Sequence, residues 1–236
     1  MMKIEQKKTL TIFGADRLDL NQDLPFNVIV AGASRGGTSA VASTMRALGL
    51  NLGDGLHPTT HEDMEFADLL NYGELSYESW RSLIEKRVKA FPGWSMKLPG
   101  ALRMINAFEN TLPNPLYVIL VRNPFGVARS LVQRDPEYGD GMLDYMRGYS
   151  HAVEMYADCF RNIGLIKGAF AVCEYEQLMR SPNKFVSEFA ALCRIPVTPT
   201  VAAAAEELIN SPGYKNMQAT HVPHITGDKV PPGWNS

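Results

Sequence analysis

The sequence predicts an α/β protein in which a central parallel β-sheet is flanked by helices in three layers, and three observations carry that expectation. The run Phe26 to Ala31 reads as a parallel strand buried on both faces. It enters a glycine-rich turn, Gly32-Ala33-Ser34-Arg35-Gly36-Gly37, followed by Thr38 to Leu48, whose apolar spacing is helical and stops at Gly49. A second apolar run, Leu116 to Val121, ends on Arg122-Asn123-Pro124, where Pro124 is placed to open another helix. Strand, helix and strand in alternation describe a sheet covered on both faces, with ligands at the strand C-termini.

The remaining elements follow in chain order. Residues 1–25 are polar, and the alternating patch Thr9 to Phe13 reads as an edge strand or a partner-binding arm. Asn51 to Glu65 is loop-like, rich in Gly, His and acidic residues, and positioned to form a lid over an acceptor. Helical patterns occupy 63–71 and 77–90, Trp94 to Lys97 reads as a short strand, and 100–111 as a helix. A long amphipathic helix is expected over 143–162, a strand from Ala169 to Cys173, and helices over 183–193 and 199–210. The expected organisation is an arm over 1–25, one domain over 26–210, and a Pro- and Gly-rich tail over 211–236 as a candidate to close the site.

Composition narrows the function classes. The 236 residues suffice for one α/β domain that buries most of its unfolded surface without staples. A net charge of −2 and 45% hydrophobic residues give no global attraction to nucleic acid. Three cysteines, Cys159, Cys173 and Cys193, are an odd number without metal-ligand spacing, which favours reduced thiols in a cytoplasm. Lys7 and Lys8 are not followed by an apolar core of signal-peptide length, and no run approaches a membrane span, so a cytoplasmic protein is expected.

The chemistry concentrates in the glycine-rich turn. Backbone N–H groups converging at a helix N-terminus make an anion cradle. The spacing Gly32-x4-Gly37 followed by Thr38-Ser39 fits the phosphate-binding Walker pattern, except that Thr38 stands where the lysine of a nucleoside triphosphatase should be. The cation is then Arg35, inside the loop. The second strand ends on Arg122, where a triphosphatase usually carries an aspartate that organises magnesium. Ser130 follows Arg122 by eight residues, so a guanidinium at the strand end and a hydroxyl two turns into a helix can close on one phosphate.

Together these stretches resemble the sulfotransferases that use 3′-phosphoadenosine 5′-phosphosulfate, which have a P-loop-type fold. The resemblance spans roughly residues 26 to 182 and includes two weaker echoes. Trp94-Ser95-Met96-Lys97-Leu98-Pro99 is similar to a short strand ending in Lys/His-x-Pro, and Cys173-Glu174-Tyr175-Glu176-Gln177-Leu178 to a Tyr-Glu-x-Leu element. The resemblance implies that Arg35, Gly36, Gly37, Thr38 and Ser39 hold the 5′-phosphosulfate and that Arg122 and Ser130 hold the 3′-phosphate. Cytosolic members add a C-terminal Arg-Lys-Gly clamp. That tripeptide does not occur here, and Lys215 and Lys229 in the tail are the closest substitutes.

The resemblance further implies sulfonyl transfer to a hydroxyl or amine. Arg35 and the Thr38 and Ser39 amides face the charge developing on the bridging oxygen. The sulfonate carries one negative charge, so no metal is expected. Lys97 aligns where the family has its base histidine; with an unperturbed pKa of about 10.4 it is read as a charged stabiliser of the sulfonyl rather than as the base. His57, His61, Glu62 and Asp63 are candidate bases, with Glu62 and His61 ranked first from the placing of acidic residues in bacterial relatives. His221 and His224 have H-x-x-H spacing without a third metal ligand nearby, and His151 lies in a helical pattern. The acceptor is left as a small molecule, lipid headgroup or carbohydrate. Two other classes remain open: a small-molecule kinase and a catalytically silent nucleotide-binding or interaction protein.

Overall fold

The computed structural model describes residues 8–14, 26–73, 76–135 and 137–210. Its elements run β1 (Leu10–Phe13), β2 (Asn27–Gly32), α1 (Thr38–Ala47), α2 (Met64–Asn71), α3 (Tyr77–Ala90) and β3 (Met96–Lys97). A 3₁₀ turn over Pro99–Met104 leads into α4 (Ile105–Thr111), then β4 (Pro115–Val121), α5 (Pro124–Val132), α6 (Met142–Ile163) and β5 (Phe170–Glu174). The described chain ends with α7 (Tyr175–Arg180), α8 (Pro182–Leu192) and α9 (Pro199–Asn210).

The five strands form one sheet in the order β1-β5-β4-β2-β3. β2 pairs in parallel with β3 and β4, and β4 pairs in parallel with β5. β1 lies antiparallel on β5, in the register Leu10 to Cys173 and Phe13 to Phe170, so the expected parallel sheet carries one antiparallel edge. The chain leaves β2 for β3 on one side and later returns to β4 on the other. Strand order therefore reverses at β2, which puts the glycine-rich turn at the switch point where open α/β sheets bind ligands.

Alternation along the strands makes the two outer layers. Val28 and Val30 of β2, with Leu116, Val118 and Leu120 of β4, pack under α1, α8 and α9. Ile29 and Ala31, with Tyr117 and Ile119, face α2, α3 and α4. That second face is aromatic. Phe66 is fully buried between Trp80 at 5.2 Å and Trp94 at 5.4 Å, with Phe108 at 6.5 Å. A smaller cluster of Val127, Leu131, Ala152 and Tyr156 joins α5 to α6 and reaches Ala33 in the turn.

Several boundaries differ from the sequence reading for local reasons. Pro99 removes a backbone donor and Gly100 lacks a side chain, so the segment expected as one helix over 100–111 begins as a 3₁₀ turn. The strand expected from Trp94 pairs only at Met96 and Lys97, because Ser95 N instead donates to Asn51 O at 2.8 Å. The six-residue α7 is too short to show a helical period. The 51–65 segment is packed down rather than raised: Leu52, His57, Thr60 and Asp63 are buried, and Leu56 bridges to Asp63.

Since Phe66 touches three of the large rings that fill this face, Phe66→Ala is expected to cost about 3–5 kcal/mol. Urea unfolding should show a lower midpoint with an unchanged slope. A loss under 1 kcal/mol would mean that the face collapses around the gap.

Candidate active site

The site is built at the C-terminal ends of β2, β3 and β4. β2 stops at Gly32, and Gly36 N donates to Ala33 O at 3.0 Å to close the turn. Arg35 takes a left-handed φ of 62°, and Gly37, at the start of α1, a φ of 94°. A Cβ on Gly37 would run into the Tyr175 ring, so only glycine satisfies both the backbone angle and the space. Thr38 is buried and Ser39 half-buried at the first positions of α1. Among the described residues no side chain caps this helix. Its first amides have no intrahelical acceptors, which is the arrangement that receives an anion.

The two motifs meet here. Arg35 Nε donates to Ser130 Oγ at 3.3 Å, and Arg122 Nη1 donates to the Arg35 carbonyl at 2.9 Å. Arg35, Arg122 and Ser130, whose Oγ accepts Arg35 from 95 residues along the chain, thus lie together around the turn. Three residues that the sequence reading gave no role hold Arg122 in place. Tyr156 Oη accepts the Arg122 backbone N–H at 2.7 Å, the Arg122 guanidinium lies 4.5 Å from the centre of the Tyr175 ring, and Glu176 accepts Asn123 N at 3.0 Å. Burial pushes the Tyr156 phenol up to about 12. Tyr175 and Glu176 belong to the Tyr-Glu-x-Leu element, so their position was signalled; Tyr156, on a long amphipathic helix, was not.

Lys97 and Glu62 form a second centre. Lys97 ends β3 beside Val30 of β2, is 2% exposed, and makes an ion pair with Glu62. His61 takes a φ of 58° and turns its ring to α1: Nε2 lies 3.4 Å from Ser43 Oγ and Nδ1 3.2 Å from Arg46 Nη1. Burial, then the charges of Arg46, Lys97 and His57, lower its pKa to about 4. His57 is buried, and its Nδ1 accepts the amides of Thr59 at 3.3 Å and Thr60 at 3.1 Å, which fixes the turn. Asp63 is also structural: its carboxylate caps α2 through Glu65 N and Phe66 N and takes Arg87 in two hydrogen bonds. Of the four candidate bases, Glu62 alone pairs with Lys97.

The other flagged residues fall outside these centres. His151 is exposed on α6, 3.1 Å from Tyr138 Oη. Cys159, Cys173 and Cys193 are buried, and burial raises each thiol pKa. Lys215, Lys229, His221 and His224 lie outside the described residues, with the whole tail over 211–236. Among the described residues no cluster of three His, Cys, Asp or Glu side chains could hold a metal, and no helix is long and apolar enough to cross a membrane.

The lowered His61 pKa has a consequence for stability. An unfolded imidazole takes up its proton near 6.5, the folded one near 4, so between these values the unfolded chain holds more protons and stability rises with pH. His61→Asn, which tolerates the positive φ, should flatten the pH dependence of the unfolding midpoint between 6.5 and 4. An unchanged slope would assign that dependence to other groups.

No protein-family model matches the sequence, and no curated protein matches it significantly. Solved structures do. The sulfotransferase STF9 from Mycobacterium avium superposes with a TM-score of 0.50 at 16% identity, over 81% of this chain and 69% of that one. The sulfotransferase domain of the Synechococcus PCC 7002 olefin synthase gives 0.48 at 17% identity, over 89% and 81%. The sulfotransferase domain from the curacin biosynthetic pathway gives 0.46 at 15%, over 88% and 95%. The likeness is one of architecture at these identities, and with the strand order and the turn geometry it places the chain in the P-loop-type α/β fold of the sulfotransferases.

Proposed function

We propose that this chain transfers a sulfonyl group from 3′-phosphoadenosine 5′-phosphosulfate to a hydroxyl or amine of a small-molecule, lipid or carbohydrate acceptor. The observation that carries the reading is the meeting of Arg35 with Ser130 and Arg122 around a glycine-rich turn at a helix N-terminus. Two guanidiniums and a hydroxyl beside the first amides of α1 suit a ligand with several anionic groups. Thr38 in place of the Walker lysine, and β4 ending at Val121 with Arg122 next rather than an acid, favour this donor over magnesium triphosphate.

In the proposed reaction the bond from sulfur to the bridging phosphate oxygen breaks, and a bond from sulfur to the acceptor oxygen forms. The acceptor proton passes to the Glu62 carboxylate, and adenosine 3′,5′-bisphosphate leaves. Arg35 and the Thr38 and Ser39 amides stabilise the charge that develops on the leaving oxygen. A guanidinium has five N–H donors, so the bond to Ser130 is compatible with that task. Lys97, held by Glu62 at the end of β3, supplies a fixed cation for the transferring group. Glu62 is preferred to His61 because its carboxylate is at Lys97, whereas the His61 ring engages α1. Lys215 remains a proposed further contact to the 3′-phosphate. We place this action in the cytoplasm, which an odd number of cysteines without metal-ligand spacing favours.

Nucleotide identity tests the reading. Adenosine 3′,5′-bisphosphate at a hundredfold excess over its Kd stabilises the native state by about 2.7 kcal/mol. For a chain of this length that raises Tm by roughly 5–10 °C. Magnesium ATP should give much less, and Arg122→Ala should remove most of the difference. An equal or larger shift with magnesium ATP would replace the sulfotransferase reading with a kinase.

The proton acceptor has its own test. Glu62→Gln should keep the bisphosphate shift while turnover falls about 10²–10⁴-fold. Turnover within a few-fold of the parent would remove Glu62 from the chemistry, and bisphosphate binding without turnover in the parent would indicate a silent nucleotide-binding protein.

A further inference from the structure

We propose that Arg87, on α3, positions the Glu62–Lys97 pair, a role that rests on the reading of that pair as the proton acceptor and fixed cation. Arg87 is 5% exposed and falls on the apolar stripe that α3 turns inward, with Trp80 and Ile84. A leucine or methionine there would pack without the cost of burying a charge, and replacing buried ion pairs by apolar groups is often neutral or stabilising. Stability alone is therefore a weak reason for this guanidinium. What it fixes is Asp63.

The carboxylate of Asp63 is fully buried and committed on both oxygens. Oδ2 accepts Arg87 Nε at 2.6 Å, and Oδ1 accepts Arg87 Nη2 at 3.0 Å together with the α2 amides of Glu65 at 3.1 Å and Phe66 at 3.4 Å. Arg87 Nη2 also reaches Glu65 Oε2 at 2.6 Å. Glu62 directly precedes Asp63, and its own carbonyl accepts His57 N at 2.8 Å. His61, one residue earlier, is held at a φ of 58°, which a non-glycine residue keeps only where its surroundings over-determine it. Ser43 and Arg46 of α1 hold the His61 ring, and the bidentate fork on Asp63 is the hold that comes from α3. It sets where the Glu62 backbone lies, and so where the Glu62 carboxylate meets Lys97.

The test measures the pair with and without turnover. In Arg87→Met, misplacing Glu62 by about 1 Å should lower kcat about 10²-fold while the KM for the donor and the bisphosphate-induced Tm shift stay within twofold. Arg87→Lys, which restores the charge without the fork, should recover part of kcat. Acetic anhydride labelling, read by mass spectrometry, should show Lys97 at least tenfold more reactive than in the parent, with exposed Lys89 and Lys167 unchanged. Asp63→Asn keeps a good helix cap but loses the ion pair, and should expose Lys97 in the same way if Arg87→Met does not fold. Should Tm fall while Lys97 stays protected and kcat keeps its parent value, Arg87 is a packing residue and the proposal is overturned. If the parent shows no sulfonyl transfer, the sulfotransferase reading fails by itself, and labelling still decides whether Arg87 places Glu62 against Lys97.

Discussion

The hydrogen bond from Arg122 to the carbonyl of Arg35 is the contact on which the arrangement of the site depends. Arg122 leaves the sheet at the end of β4, and Arg35 is in the turn after β2. Parallel pairing of these strands brings Gly32 opposite Leu120, so the two segments emerge side by side. The carbonyl that Arg122 takes belongs to a residue at positive φ, whose peptide is oriented by that strain. Without this acceptor the Arg122 side chain would lose its hold on the turn. With it, two cations converge on one end of the sheet. The Tyr175 ring then does two things: its face supports the Arg122 guanidinium, and its edge fills the space that a Cβ on Gly37 would need.

This convergence is possible because β2 and β4 are apolar on both faces and covered by separate helical layers. α1 starts at the turn and packs back over Val28 and Val30, which aims its N-terminal amides at the strand ends. On the other face the rings of Phe66, Trp80, Trp94 and Phe108 join α2, α3 and α4 to the sheet. The loop before α2 is stitched to that layer by Asp63 and Arg87. Each layer therefore carries one part of the candidate site: the helix N-terminus at the turn belongs to α1, and the carboxylate opposite Lys97 to the α2 and α3 side.

Much of this was legible from residue order. β2 and β4 show themselves because burial on both faces leaves no alternation, and Pro124 and Gly49 mark where helices start and stop. The eight-residue step from Arg122 to Ser130 implied that the two side chains could close on one point, and the structure puts both at the turn with Arg35 joining Ser130. The pairing of Glu62 with Lys97 was not legible. They are 35 residues apart, and only the parallel register of β3 on β2 puts the lysine at that end of the sheet. Arg87 left a signal of another kind, a charge in an inward stripe seven residues after Trp80 and three after Ile84. That pattern marks a buried cation before its partner is known. The antiparallel seating of β1 had no signal in four residues, because alternation predicts a strand and says nothing about its direction.

The two centres differ in the contacts that hold their cations, and that difference bears on the proposed mechanism. At the turn, Arg122 donates to the Arg35 carbonyl and Arg35 to the Ser130 hydroxyl, and these two bonds bring both guanidiniums to one end of the sheet. At β3, Lys97 already has a carboxylate, so a second anion gains less there and competes with Glu62 for the ammonium. A donor held by the first centre would therefore present its reacting group to a cation whose carboxylate partner must give way. In the proposed reaction the acceptor hydroxyl would become strongly acidic as the bond to sulfur forms. One lysine would thus serve, in that reaction, both the arriving sulfonyl group and the carboxylate that takes the acceptor proton.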